Sequence, residues 1–238
     1  MSVNRFENTV AMLRARPEDL AGVEPGESSV AMIIDIGTDW HGPDAASAAQ
    51  AVSRDRGAGP VLLRIDLPGD DDAAQEALAR LTGLWPDGFV LSGCAGGADI
   101  QRLDVMLRVA EAETNLEDGS IVILAEIGRE PGFFLSDAPL AGISARLKGL
   151  IFDGAALLDA TASRAMNEAA ARPGAPMVMA RAVAVLKASQ AGIRCWEQLP
   201  NGSLSEERLR SLREAALADG FSGLVARNAA QLQALLRS

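Results

Sequence analysis

The chain has 238 residues, of which 48% are hydrophobic and 23% are charged, so it has enough apolar material for one large core. The formal net charge is −10 and no basic stripe offsets it, which excludes nucleic acids and anionic membranes as expected partners. The length suits a single (β/α)8 barrel, which takes roughly 250 residues.

The first residues, MSVNRFENTV, lack the basic stretch and apolar run of a signal peptide, and no apolar run is long enough to cross a bilayer. The two cysteines, Cys94 and Cys195, have no metal-ligand spacing, which is typical of buried thiols in a reduced protein. His41 is the only histidine, which excludes mechanisms that need two. We therefore expect a cytoplasmic protein.

Short apolar segments alternate with longer Ala/Leu-rich stretches along the chain, as in repeated βα units with a parallel sheet. Most of these segments are apolar throughout, as strands buried on both faces should be. The predicted strands are residues 9–13, 30–36, 60–66, 88–92, 120–127, 149–153, 193–197 and 222–226.

Helical patterns fill the intervals between the predicted strands. DDAAQEALARLTGL begins with acidic residues, as a helix N-terminus prefers, and ADIQRLDVMLRVAEAE has apolar residues at helical spacing. SEERLRSLREAALADG should be capped by Ser205 and stopped by Gly220, and NAAQLQALL should be capped by Asn228. We predict an α/β fold with one (β/α)8 TIM barrel domain over residues 1–238; an open doubly wound sheet is the alternative.

In a barrel, the carboxyl ends of the strands converge on one mouth, so residues there should lie close together. Carboxylates gathered in this way suit Mg²⁺ or Mn²⁺, and Arg64 could pair with them. Acids at strand ends also cap the following helix, and an arginine there can be purely structural. The residues at these ends are Asp35, Arg64, Asp66, Gly93, Glu126, Asp153, Glu197 and Arg227.

The glycine-rich stretch SGCAGGADI (92–100) lies between a predicted strand and a helix. Its backbone N–H groups could cradle a phosphate, but it matches neither a dinucleotide-binding fingerprint nor a P-loop. A tight turn capped by Asp99 is the alternative.

Several longer stretches resemble one family. PDGFVLSGCAGGADI (86–100) resembles the family motif PDGVVLPKVESAADV, and DGFSGLVARNAAQL (219–232) resembles GFDGKxxIHPxQ. LAEIGREPGFFLSDAPLAGISARLKGLIFDGAALL is similar to the run IETPxGV…IA…RLxALxFGxxDL, and LLRID is similar to VRVN. The family is the citrate lyase beta-subunit-like proteins of the HpcH/HpaI aldolase superfamily, relatives of malyl-CoA and citramalyl-CoA lyases.

This resemblance implies a phosphoenolpyruvate/pyruvate-domain-like barrel and a Mg²⁺-dependent carbon–carbon lyase or aldolase. By the resemblance, Arg64 matches an arginine that binds substrate oxygens, and Glu126 matches a metal-binding glutamate. We predict catalytic roles for Arg64 and Glu126, substrate binding by Arg64, Asp66 and Gly93, and weak Mg²⁺ binding by Glu126 and Asp153. No other cofactor is expected.

Other functional positions of the family are substituted in this chain. The family's second metal ligand, an aspartate, falls on Ala156, and Asp153 lies three positions earlier, where it could reach a metal or cap the next helix. The remaining substituted positions are Gly37, Thr38, Gly93, Ala95, Trp196 (with Glu197 adjacent), Leu224 and Asn228.

Two hypotheses follow from these matches and departures. One is a lyase that acts on a small carboxylic acid or its acyl-CoA ester, with Asp153 or Glu197 as replacement metal ligand. The other is a barrel that has lost this catalysis and acts as a subunit or a small-molecule-binding protein. The resemblance also implies a homo-oligomer, a trimer or a hexamer. The apolar segment 132–143 could form its contact or simply pack against the barrel.

Overall fold

The computed structural model describes residues 9, 11–16, 19, 30–38, 59–162 and 174–237. Every predicted strand is present within these ranges. The strands are β1 (Ala11–Ala15), β2 (Val30–Gly37), β3 (Val61–Ile65), β4 (Gly88–Leu91), β5 (Val122–Ile127), β6 (Leu147–Phe152), β7 (Arg194–Gln198) and β8 (Gly223–Ala226).

Helices follow the strands with the caps that the sequence predicts. Ser205 accepts a hydrogen bond from the backbone N–H of Arg208, and Asn228 accepts one from the N–H of Gln231. Gly220 ends its helix region with a φ of +97°, which favours glycine. The helices within the described ranges are α1 (Asp71–Thr82), α2 (Gly97–Glu113), α3 (Gly132–Leu135), α4 (Gly154–Ala160), α5 (Ala175–Ala191), α6 (Glu206–Ala218) and α7 (Ala229–Arg237).

The sheet is closed. Each strand pairs in parallel with the next, and β8 returns to β1, where Ala11 lies opposite Leu224. This confirms the (β/α)8 barrel, and the open doubly wound alternative is wrong. The predicted first strand, 9–13, lies two residues before β1, because the charged Arg14 interrupts the apolar pattern although the strand includes it.

Two apolar layers hold the barrel together. The outer layer lies between the strands and the surrounding helices. The inner layer fills the barrel with residues at alternate strand positions: Met12, Ala31, Ile33, Leu62, Val90, Leu124, Ile151, Trp196 and Val225. Gly149 leaves room for the Trp196 ring, since an added Cβ would lie 2.3 Å from its Cζ3 atom.

A buried ion-pair cluster ties helix α2 to the segments that precede β5 and β6. Arg146 donates two hydrogen bonds to Glu111, of 2.7 and 2.6 Å, and one of 2.7 Å to Asp104. Glu111 also accepts from the backbone N–H groups of Gly119 and Ile121. Burial raises the pKa of Glu111, but the hydrogen bonds from Arg146, Ile121 and Gly119 outweigh burial, and its pKa lies below the ordinary value.

Phe133, Phe134 and Leu140 of the apolar segment 132–143 are buried, but most of the segment, including Leu135, is exposed. The oligomer that the segment could support stays a prediction. None of the helices in the described ranges combines the length and apolar character needed to cross a membrane. His41 lies outside those ranges.

Candidate functional site

A ring of polar side chains lines the mouth of the barrel, one from each of the eight strands. Each lies two positions after an inner-layer residue, so its side chain also points inward, where the apolar filling ends. The ring, here called the mouth ring, consists of Arg14, Asp35, Arg64, Ser92, Glu126, Asp153, Gln198 and Arg227.

Arg64 and Glu126 form the most buried part of the mouth ring, and each is 4% exposed. Arg64 Nε donates to Glu126 Oε2 at 2.8 Å, and Nη2 donates to Oε1 at 2.6 Å, which makes the pair bidentate. Arg64 also donates to Asp35 at 3.0 Å and to the Ser92 hydroxyl. Burial lowers the pKa of Arg64, but Glu126 and Asp35 more than compensate, so its pKa lies above the ordinary value.

Arg14 is the second cation of the mouth ring. Its Nε and Nη2 atoms donate to Asp35 Oδ2 at 2.9 and 2.6 Å. Its Nη1 atom donates to Glu126 Oε2 and to Gln198 Oε1, both at 3.1 Å, and lies 3.9 Å from Asp153 Oδ2. Burial raises the pKa of Asp35, but the neighbouring charges of Arg64 and Arg14 lower it by more than burial raises it. The pKa of Asp35 therefore lies below the ordinary value.

Asp153 caps helix α4, as the alternative to metal binding predicted: its Oδ1 atom accepts from the N–H groups of Ala155 and Ala156, both at 3.1 Å. It is also paired with Arg227, whose Nη2 atom donates to both carboxylate oxygens at 3.0 Å. Gln198 donates to Asp153 Oδ2 at 2.6 Å. The carboxylate is therefore fixed from several directions at once.

The predicted residues Asp66 and Gly93 lie beside the mouth ring. Asp66 accepts a 3.0 Å hydrogen bond from Arg129 and lies 3.9 Å from Arg64. Gly93 has a φ of +62°, and a Cβ there would lie 3.3 Å from the Arg129 side chain. Both predicted substrate-binding residues thus adjoin Arg129, a cation that the sequence analysis did not single out.

The expectation that Glu197 faces the pocket is wrong. Glu197 is adjacent to the inward-facing Trp196, so it points out of the barrel, where it forms an ion pair with Arg181 of α5. Gln198 takes the inward position at this strand end. The glycine-rich turn also has the predicted local form, since Asp99 accepts a 2.7 Å hydrogen bond from the N–H of Ala95.

The carboxylates of the mouth ring fit a metal ion poorly. An ionised carboxylate offers about four lone-pair positions, and Glu126 uses them on Arg64, Arg14 and Ser92. Asp153 accepts five hydrogen bonds. Within the described ranges, no group of three or more His, Cys, Asp or Glu residues is arranged to hold a metal ion.

The mouth ring is also electrically balanced. Arg14, Arg64 and Arg227 supply three formal positive charges, and Asp35, Glu126 and Asp153 supply three negative ones. A divalent ion added to this set would be an uncompensated charge in a partly buried place, which is costly.

A polar pocket of about 280 Å³ opens above β1, β2 and β8. Its described charged lining comprises three arginines and two aspartates, so positive charge exceeds negative charge by one. The charged and amide residues are Arg14, Arg16, Asp19, Asp35, Asn201 and Arg227. Within the described ranges, Arg227 Nη1 has no hydrogen-bond partner, so its N–H groups are available to an anion.

Several solved structures have a similar fold. RipC from Yersinia pestis is 20% identical, with a TM-score of 0.71, and the match covers 98% of this chain and 95% of RipC. A citrate lyase from Burkholderia xenovorans LB400 is 12% identical, with a TM-score of 0.71, and 96% and 76% of the two chains are covered.

A third similar structure is CitE from Mycobacterium tuberculosis in complex with magnesium, acetoacetate and coenzyme A. It is 16% identical, with a TM-score of 0.68, and 96% of this chain and 80% of CitE are covered. No family model matches the sequence, and no curated protein matches it. At these identities the likeness establishes the barrel fold.

Proposed function

We propose that this protein is a citrate-lyase-like barrel that binds a small carboxylate, or its acyl-CoA ester, at the mouth and has lost Mg²⁺-dependent carbon–carbon cleavage. Its fold likeness to citrate lyase and CitE supports the lineage, and so do the sequence matches at Arg64 and Glu126. One observation carries the loss of metal chemistry: Arg64 and Arg14 already occupy the Glu126 carboxylate.

Substitution of the second metal position adds to this argument. Ala156 stands where the family has its metal-binding aspartate, and it contributes only a backbone N–H to Asp153. A bound Mg²⁺ would polarise a carbonyl or enolate oxygen of the substrate. Here Glu126 and Asp153 would have to give up arginine partners to hold it, and Mg²⁺ gives up its own water reluctantly.

Ligand binding is supported by the pocket above the mouth ring. Arg227 presents two N–H groups of Nη1, and Arg14 lies beside it. An arginine matches a carboxylate in shape and charge, and the pocket volume of about 280 Å³ suits a small acid. The loss of cleavage leaves this binding in place, which fits a small-molecule-binding protein or a non-catalytic subunit.

The test uses the purified wild-type chain. We expect no heat of Mg²⁺ binding at millimolar concentration in calorimetry and no cleavage of malyl-CoA or citramalyl-CoA. Among malate, oxaloacetate and acetoacetate, at least one should raise the melting temperature. Wild-type binding of Mg²⁺ together with turnover that disappears in Glu126→Ala would instead establish the active lyase.

A matched pair of variants locates the ligand. Arg227→Met should abolish the thermal shift caused by the carboxylate, because it removes the available N–H groups. Arg80→Met changes an exposed arginine in the last turn of α1, and the shift should persist there. Equal shifts in both variants would move the ligand away from the mouth. The cytoplasmic location and the homo-oligomer remain predictions.

A further inference from the structure

Arg14 has the surroundings of a metal ion. Its guanidinium contacts oxygens from three other strands: Asp35 on β2, Glu126 on β5 and Gln198 on β7. A fourth oxygen, Asp153 Oδ2 after β6, lies 3.9 Å from Nη1. Carboxylate and amide oxygens converging from several strands are the ligands that hard divalent cations take.

We infer that Arg14 is the built-in cation of this site and takes the place of a divalent ion such as the magnesium bound in the CitE complex. The inference rests on the proposed function and extends it by naming the residue responsible. Arg14 belongs to β1, whose backbone is paired on both sides, so the charge cannot dissociate as an ion can. An arginine also keeps its charge over the whole working range of pH.

Charge balance explains why a metal and Arg14 exclude each other. With Arg14 present, the mouth ring is neutral and a divalent ion would bring two uncompensated positive charges. Without Arg14, the ring carries one negative charge, and Glu126, Asp35 and Gln198 each regain a free acceptor position. Removal of the arginine should therefore expose a latent site for Mn²⁺ or Mg²⁺.

The experiment compares wild type with Arg14→Met, which keeps an unbranched side chain and loses the charge. Mn²⁺ binding is followed by the loss of the free-ion signal in electron paramagnetic resonance. We expect one Mn²⁺ per Arg14→Met chain, bound on the order of 100-fold more tightly than by wild type, because the unit charge that opposed the ion within about 4 Å is gone.

Two further variants make the result specific. Arg14→Lys keeps a positive charge and should bind Mn²⁺ no better than wild type. Arg14→Met with Glu126→Gln loses one oxygen and the negative charge of the Glu126 carboxylate, which returns the ring to neutrality, and it should lose the bound ion. A folded Arg14→Met chain that binds no Mn²⁺ would overturn the inference.

The outcome is readable even if Arg14→Met unfolds on its own. Refolding in Mn²⁺ should then restore its circular dichroism spectrum, since the ion supplies the missing charge; failure to recover would contradict the inference. If wild type binds Mn²⁺ as tightly as the variant, both the inference and the proposed loss of metal chemistry fail. If neither binds, only the inference fails.

Discussion

Replacement of Glu126 by glutamine should be among the most damaging single changes at the mouth. The change keeps the side-chain volume, but it replaces one of the two carboxylate oxygens that accept hydrogen bonds from Arg64 by an amide NH2 group. It also leaves the mouth ring with one uncompensated positive charge. Loss of one partner of a buried ion pair costs about 3–5 kcal/mol. For a chain of this size, each kcal/mol lowers the melting temperature by about 2–4 °C, so a fall of roughly 6–20 °C is expected.

The size of the effect should depend on charge balance. Arg64→Met alone leaves one uncompensated negative charge, whereas Arg64→Met with Glu126→Gln leaves Arg14 and Arg227 facing Asp35 and Asp153, a neutral set. We therefore expect the double variant to lose about 2–3 kcal/mol less than the two single losses added together.

Urea unfolding of wild type, both single variants and the double variant gives the coupling free energy. The midpoint and slope should be followed by both fluorescence and circular dichroism, so that two-state behaviour is checked. Single losses that add to within about 0.5 kcal/mol would refute the reasoning, because independent sites behave in that way.

Three further predictions concern the rest of the barrel. Gly149→Ala should cost about 1–3 kcal/mol of unfolding free energy in urea, because its Cβ would overlap the Trp196 ring, while Gly132→Ala, with no atom within 4 Å, should cost far less. Glu111 has a lowered pKa in the folded chain, so its contribution to stability is present above its unfolded pKa of about 4.3 and is lost as the pH falls through the folded value. The difference in unfolding free energy between wild type and Glu111→Gln, measured in urea titrations, should therefore become smaller from about pH 6 to about pH 3. A difference that stays constant over this range would contradict the prediction. Burial raises the pKa of both cysteine thiols to about 12, so a thiol reagent near pH 8 should label them only after unfolding, and fast labelling of the native chain would contradict their burial.

The strands were predictable because strands buried on both faces are largely apolar, so a run such as GFVL of β4 predicts a strand at its own position in the sequence. The first strand shows the limit of this signal. Arg14 interrupts the apolar run, and the prediction ended before it, although Met12 and Arg14 occupy successive inward positions. The sequence sign that the strand continues is the position of Arg14 between the apolar residues Leu13 and Ala15, two residues after Met12.

The candidate site was predictable only in part for a related reason. In β7, RCWEQ, the two adjacent polar residues at the strand end do not reveal which of them points inward, and the prediction names Glu197 where the structure has Gln198. Arg64 and Glu126 follow from their positions at predicted strand ends, where pairing of Arg64 with the carboxylates is also expected, and the family resemblance adds only their roles. The engagement of Arg14 with these same carboxylates depends on closure of β1 against β2 and β8, which is a tertiary property.

Five of the eight polar side chains at the mouth belong to strands, which are held by hydrogen bonds to their neighbours, and the other three, Ser92, Asp153 and Arg227, directly follow a strand. Connecting segments could therefore be exchanged for foreign sequences without displacing this set of charges, provided that the first residue after each strand is kept. The β6–α4 and β8–α7 connections are tied to it directly, since Asp153 starts α4 and pairs with Arg227, and Arg227 also donates to the backbone oxygen of Leu199 after β7. The chain is accordingly a suitable host for libraries of grafted loops, because the ion-paired mouth ring beneath the loops would stay in place.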